Sequence, residues 1–149
     1  MTSTAFETGF LSLLSARGQE KLRNMSRSLR FAEGEAIFQE GDSSVYLWVV
    51  KRGRVALETD VKPRGRCVIQ VAGPGELFSW TTLVHPRVEI ASARAIEETE
   101  AVLINGQALE AACQKDTELG LELYRAVTMT LSDRLHAMRM LLQDLGVAA

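Results

Sequence analysis

Six glycines, at positions 34, 41, 53, 65, 73 and 75, divide the stretch from Leu29 to Ile104 into short runs rich in β-branched residues. The runs are Ala36 to Gln39, Val45 to Lys51, Arg54 to Asp60, Cys67 to Ala72, Ile90 to Ala95 and Ala101 to Ile104. Glycine sits between them because tight reversals and positive φ cost least in a residue without Cβ. Strands this short at this regular spacing predict an antiparallel sandwich or barrel. Lys51-Arg52-Gly53-Arg54 reads as a hairpin turn.

Helical patterning flanks the strands. Phe10, Leu11, Leu13, Leu14, Leu22 and Met25 suit helix within a lead-in over 1–28, with Arg17-Gly18 as the break between two short pieces. After the strands of 29–104, Asn105 can cap a short helix running through Cys113, and Asp116 or Thr117 can cap a much longer one, so 105–145 reads as helical. The expected class is α+β, a single domain over 1–149 with helices around the antiparallel sandwich or barrel. In the last helix Tyr124, Val127, Leu131, Leu135, Met138, Leu142 and Leu145 recur at spacings of three, four, four, three, four and three. Such a stripe either packs on the chain's own strands or pairs with its twin in a homodimer, and both can hold at different ends.

Several chemistries are excluded by count and pattern. A net charge of −2, with acids and bases interspersed, lacks the basic excess of a nucleic-acid surface. The two cysteines, Cys67 and Cys113, are too few for an iron-sulfur cluster and too far apart for a CxxC knuckle, and they read as reduced core thiols. The two histidines, His85 and His136, fall on different elements and support no metal site; His85-Pro86 reads as an exposed loop. Neither a GxSxG elbow nor a Walker loop occurs, so enzymatic function is not expected. No apolar run approaches the ~18 residues of a membrane span, and the N-terminus lacks signal-peptide character, so the expected location is the cytoplasm, with no membrane partner.

The segment Phe31 to Asp42, FAEGEAIFQEGD, followed by Val45 to Val50 and Gly53, resembles the opening of cyclic-nucleotide-binding domains, the sensor domains of catabolite-activator-like regulators. Gly73-Pro74-Gly75-Glu76-Leu77-Phe78, Ala91-Ser92-Ala93-Arg94-Ala95 and Glu98 to Leu103 match the same family's order and spacing. The likeness covers about residues 8 to 145. It implies an eight-stranded β-roll with a phosphate-binding cassette, here spanning 75–92, between the sixth and seventh strands. It also makes the terminal helix a dimerisation or signalling helix, with Tyr124, Val127, Leu131, Leu135, Met138 and Leu142 on its face.

By that resemblance the ligand-facing segment comprises Leu77, Phe78, Ser79, Trp80, Thr81, Thr82, Leu83, Glu89, Ile90, Ala91 and Ser92. Nucleotide-binding members usually carry glycine and glutamate at the positions of Ser79 and Trp80, and arginine at that of Glu89. Glycine lets amides approach the cyclic phosphate, glutamate accepts from the ribose hydroxyl and arginine pairs with the anion. A carboxylate in place of the guanidinium turns attraction into repulsion, so ordinary cyclic AMP binding is not expected. Arg87 and Arg94 are the cations near enough to substitute, while a surface role suits Arg94 equally. Trp80 either plugs the pocket or stacks on a planar ligand. Thr81, Thr82 and Ser92 either bond a ligand or cap local backbone.

The expected function is a stand-alone regulatory domain, signalling as a homodimer or through a partner protein, with no cofactor implied. Cyclic nucleotide, another small ligand and a ligand-free scaffold stay open. Related regulators continue into a DNA-reading helix-turn-helix that is not present before Ala149, so DNA binding by this chain alone is not expected.

Overall fold

The computed structural model describes residues 8–146. Eight strands form two four-stranded antiparallel sheets: β1 (Ser26–Phe31), β8 (Thr99–Asn105), β3 (Tyr46–Arg52) and β6 (Leu77–Ser79) in one, and β2 (Ala36–Phe38), β7 (Ser92–Ala95), β4 (Val55–Val61) and β5 (Gly65–Ala72) in the other. Helix α1 (Ala16–Met25) precedes the roll, and α2 (Gly106–Lys115) and α3 (Thr117–Asp144) follow it. Asn105 and Asp116 cap the last two, accepting from the amides of Ala108 and Leu119.

The central strands β3 and β8 of the first sheet are covered on both sides, which explains why they read as continuous apolar runs instead of alternating ones. Leu47 and Val49 of β3 and Val102 and Ile104 of β8 join Leu22, Leu109, Leu119, Leu123 and Val127 in a core beneath the helices. Their neighbours Trp48, Val50, Ala101 and Leu103 face the other way, into a second core shared with Val55, Leu57, Phe78, Ala93 and Ala95.

Four local expectations are corrected. The lead-in of 1–28 is not helical to its end: α1 stops at Met25 and Ser26 begins β1, paired with β8 from Ser26↔Ile104 to Phe31↔Thr99. Its burial, exposed except at its ends, leaves no apolar alternation for a sequence reading to detect. The break at Arg17-Gly18 lies inside α1, which Ser15 caps by accepting from the Gly18 amide; residues 1–7 of the lead-in lie outside the described residues. Gly53 does not close a hairpin, because β3 and β4 belong to different sheets. It turns the corner between them at φ 90°, where a Cβ would fall 2.5 Å from the Glu98 carbonyl oxygen. Cys67 and Cys113 are both free and only partly buried, Cys113 against the helix-side core.

The stripe on α3 divides. Val127 is buried and Leu131 packs against the helix-side core, whereas Tyr124, Leu135, Met138, Leu142 and Leu145 are exposed. Tyr124 opens the stripe exposed, Val127 and Leu131 pack inward, and every stripe position from Leu135 onward is exposed.

Candidate functional site

Phe78, Ser79, Trp80, Thr81, Glu89, Ile90 and Ala91 of the expected segment line a cavity of about 80 Å³, together with Phe38, Leu57, Ile69 and Gln70 from β2, β4 and β5. The other four residues lie elsewhere. Leu77 and Leu83 pack into the helix-side core. Thr82 lies beneath the start of α2, so close to Gly106 that a Cβ there would collide with its hydroxyl. Ser92 is buried against the β2–β3 turn, its hydroxyl accepting from the Glu40 amide at 2.8 Å. The cassette opens as a three-residue 3-10 turn, Thr81–Leu83, whose Trp80 cap makes no side-chain cap bond.

Glu89 is held at the centre. Its amide donates to the Asp42 carbonyl and its own carbonyl accepts from the Gly41 amide, which pins the loop to the β2–β3 turn. Glu89 as a whole is 4% exposed. Ser79 donates to Oε1 at 2.8 Å, and Thr81 Oγ1 lies 3.2 Å from the same oxygen and 2.8 Å from Ser44 Oγ. With its single proton directed at Glu89, Thr81 accepts from Ser44, so Ser44, Thr81 and Ser79 form a hydroxyl cluster gathered on the carboxyl group. Burial pushes the Glu89 pKa up and the Asp42 charge adds to that, while the hydroxyl bonds pull it down. None of the ion pairs among the described residues involves Glu89.

The two arginines named as substitutes are committed elsewhere. Arg87, at φ 56°, donates to the Thr82 carbonyl at 3.0 Å and pairs with Glu110 of α2. Arg94 leaves β7 on the face opposite Ala93 and Ala95 and grips Glu58 with bonds of 2.8 and 3.3 Å. Neither lines the cavity.

Trp80 is half-buried, lines the cavity and also packs against the helix-side core. The guanidinium of Arg134, on α3, sits 5.5 Å from its ring centroid and donates through Nη2 to the Leu77 carbonyl. Burial lowers the Arg134 pKa against the opposing Glu76 charge, and Nη1 is buried with no partner. The long helix is therefore fastened to the cassette at one cation. Sequence reasoning missed Ser44 and Arg134. Ser44 carries no spacing signal, and Arg134 falls between stripe positions as an ordinary polar residue.

A double-sheeted roll thus carries a short cassette segment between its sixth and seventh strands, with a long helix docked on that segment. The chain belongs to the cyclic nucleotide-binding domain family, whose sequence profile matches residues 28–116. Among curated proteins, the cyclic AMP receptor protein of Thermus thermophilus is 35% identical over 75 residues, half of this chain and 34% of that relative, so the match spans about a third of the relative's length. Among solved structures, the N-terminal domain of a transcriptional regulator from Streptomyces coelicolor is 26% identical, with a TM-score of 0.73 over 91% of this chain and 94% of that one. A cyclic nucleotide-binding domain from Methylobacillus flagellatus has a TM-score of 0.79 over 96% of each chain at 16% identity, which is a likeness of fold. The family is regulatory and generally non-enzymatic, and no helix among the described residues is long and apolar enough to cross a membrane.

Proposed function

We propose that this chain is a regulatory module whose cassette does not take cyclic nucleotide and whose output passes through α3. The observation that carries the reading is Glu89. A buried carboxylate with its own hydroxyl donors stands where the family's phosphate-pairing arginine is expected. A cyclic phosphate brought there would meet like charge in a low-dielectric site, with Ser79 and Thr81 already engaged. The cavity of about 80 Å³ also falls short of the ≈ 300–1,000 Å³ of ordinary small-molecule pockets.

The output side of the reading rests on α3. Arg134 joins the helix to Trp80 and Leu77, so a rearranged cassette would move a helix whose far half exposes Leu135 (60%), Met138 (61%) and Leu142 (47%). Heptad-spaced apolar residues left in water suit a second copy of the same helix.

Titration with cyclic AMP and cyclic GMP, followed by calorimetry and tryptophan fluorescence, tests the first half. The expected result is no saturable binding to the natural sequence at micromolar nucleotide, and a gain of affinity when Glu89→Arg is combined with Trp80→Glu and Ser79→Gly. Micromolar binding to the natural sequence overturns it. Sedimentation tests the second half: a dimer that Leu135→Glu converts to monomer without loss of fold is expected, and an unchanged mass assigns the helix to another role.

A further inference from the structure

The buried carboxylate of Glu89 shares its cavity with three aromatic side chains and four aliphatic ones. Phe38, Phe78 and Trp80 line one part, the first two stacked with centroids 6.2 Å apart, and Leu57, Ile69, Ile90 and Ala91 line the rest. Ile69 and Ile90 are 58% and 61% exposed, so the cavity reaches solvent along an apolar rim. Ser79 and Thr81 bond Oε1 and Ser44 adds a third hydroxyl bond to the carboxyl, all of them neutral donors, and no cation of this chain pairs with the carboxylate among the described residues. A desolvated anion without a counter-ion is costly, and the complement that relieves it is a cation carrying hydrogen-bond donors. Aromatic faces favour the same charge.

We infer that the cassette is a binding site for a small primary alkylammonium ion, the amine head on Glu89 and the aliphatic tail against Leu57, Ile69 and Ile90. The inference rests on the preceding reading that the cassette rejects cyclic phosphate. Size agrees: the cavity holds the equivalent of two or three waters at about 30 Å³ each. That accommodates a head group and a short chain, with longer tails leaving over the rim. An alkylamine is protonated at neutral pH, with a pKa near the ~10.4 of lysine. Binding therefore replaces the missing counter-ion directly. It also favours the ionised carboxyl, whose pKa burial raises, so binding releases protons where Glu89 is partly protonated in the empty site. Asp42, from the β2–β3 turn, is the one other charged group acting on Glu89, and its sign favours the cation too. Trp80 lines the site and bears Arg134 on its ring, so occupancy reaches α3 without a nucleotide.

Propylammonium chloride and cyclic AMP, titrated separately into the intact chain with potassium chloride as the ionic-strength control, decide the matter. Saturable binding of propylammonium is expected, weakened about thirtyfold or more in Glu89→Gln, which keeps the shape and removes the charge. Affinity falls as pH is lowered into the range where Glu89 protonates. A thermal melt establishes that Glu89→Gln is folded, and Ile69→Glu, on the exposed rim, serves as a second folded variant in which loss of tail contact weakens butylammonium more than methylammonium. Absence of binding to the natural sequence, equal binding by Glu89→Gln, or an affinity unaffected by acid each overturns the inference. Cyclic AMP binding instead overturns the reading beneath it, whereas silence toward both compounds overturns the alkylammonium site alone.

Discussion

Glu58, on β4, and Glu89, in the loop before β7, expose almost equally little surface, 5% and 4%, and their surroundings push them in opposite directions. Glu58 lies under Arg94, which makes two bonds to it, and within 3.8 Å of Arg66; the Arg94 bond holds its pKa below the ordinary value despite burial. Glu89 has only hydroxyl groups, which stabilise the charge less than a guanidinium does, and its pKa rises. A buried acid with a cation of its own is structural furniture. One left with neutral donors inside a cavity is where a ligand has something to contribute.

The largest expected effect comes from making the first site resemble the second. Arg94→Met strands Glu58, and the melting temperature drops most at neutral pH. Because the Glu58 pKa is lowered on folding, its stabilising contribution is present above the ordinary value of 4.5 and is lost as pH falls. The gap between variant and natural protein therefore closes in acid. Thermal melts from pH 7 to pH 3 check this, and a gap independent of pH would mean that Arg94 acts through packing alone.

Glu89→Gln sharpens the contrast from the other side. A raised pKa means that the folded state favours the protonated acid, so stability is lost as pH rises from 4.5 through the folded value. Removing the charge is expected to raise stability by about 1 kcal/mol at neutral pH, because an amide retains an acceptor for Ser79 and Thr81 without the desolvation of a charge. The gain vanishes below pH 4.5. Destabilisation at pH 7 would place Glu89 with Glu58, as an acid the fold depends on. Denaturant unfolding across this range reads it.

The smallest effect is the coupling within the hydroxyl cluster. Thr81→Val is expected to cost about 1 kcal/mol in the natural background and less in Glu89→Gln, for a coupling of roughly 0.5 kcal/mol in a double-mutant cycle. Strict additivity would show that Thr81 is not coupled to the carboxylate.

The same contrast explains what could be read in advance. Glu89 stood out because the resemblance puts a carboxylate where nucleotide-binding members carry arginine, and that comparison needs only the linear sequence. Glu58 gave no such signal, since a glutamate midway along a strand looks like a solvated residue until its partner on β7 is known to lie across from it. Register places Ala56 opposite Arg94 and Glu58 opposite Ser92, and only then does the pair form. Ser92 illustrates the converse. Its place in the pattern made it a candidate, but the β2–β3 turn covers it and takes its hydroxyl.

Local chemistry determined much of the architecture from the chain itself. The short β-branched runs became β2, β3, β4, β5, β7 and β8, and Asn105 and Asp116 capped the helices they were expected to cap. These features depend on residues a few positions apart, where steric preference and a single hydrogen bond decide the outcome. Tertiary structure decided the rest. Ser26–Phe31 is a strand because β8 offers it a ladder, Gly53 is a corner because its flanking strands pair in different sheets, and the stripe on α3 divides where the roll beneath it ends. Arg134 reaches Trp80 and Leu77 for the same reason. Each joins groups far apart in sequence, and their meeting depends on how whole sheets and helices stack.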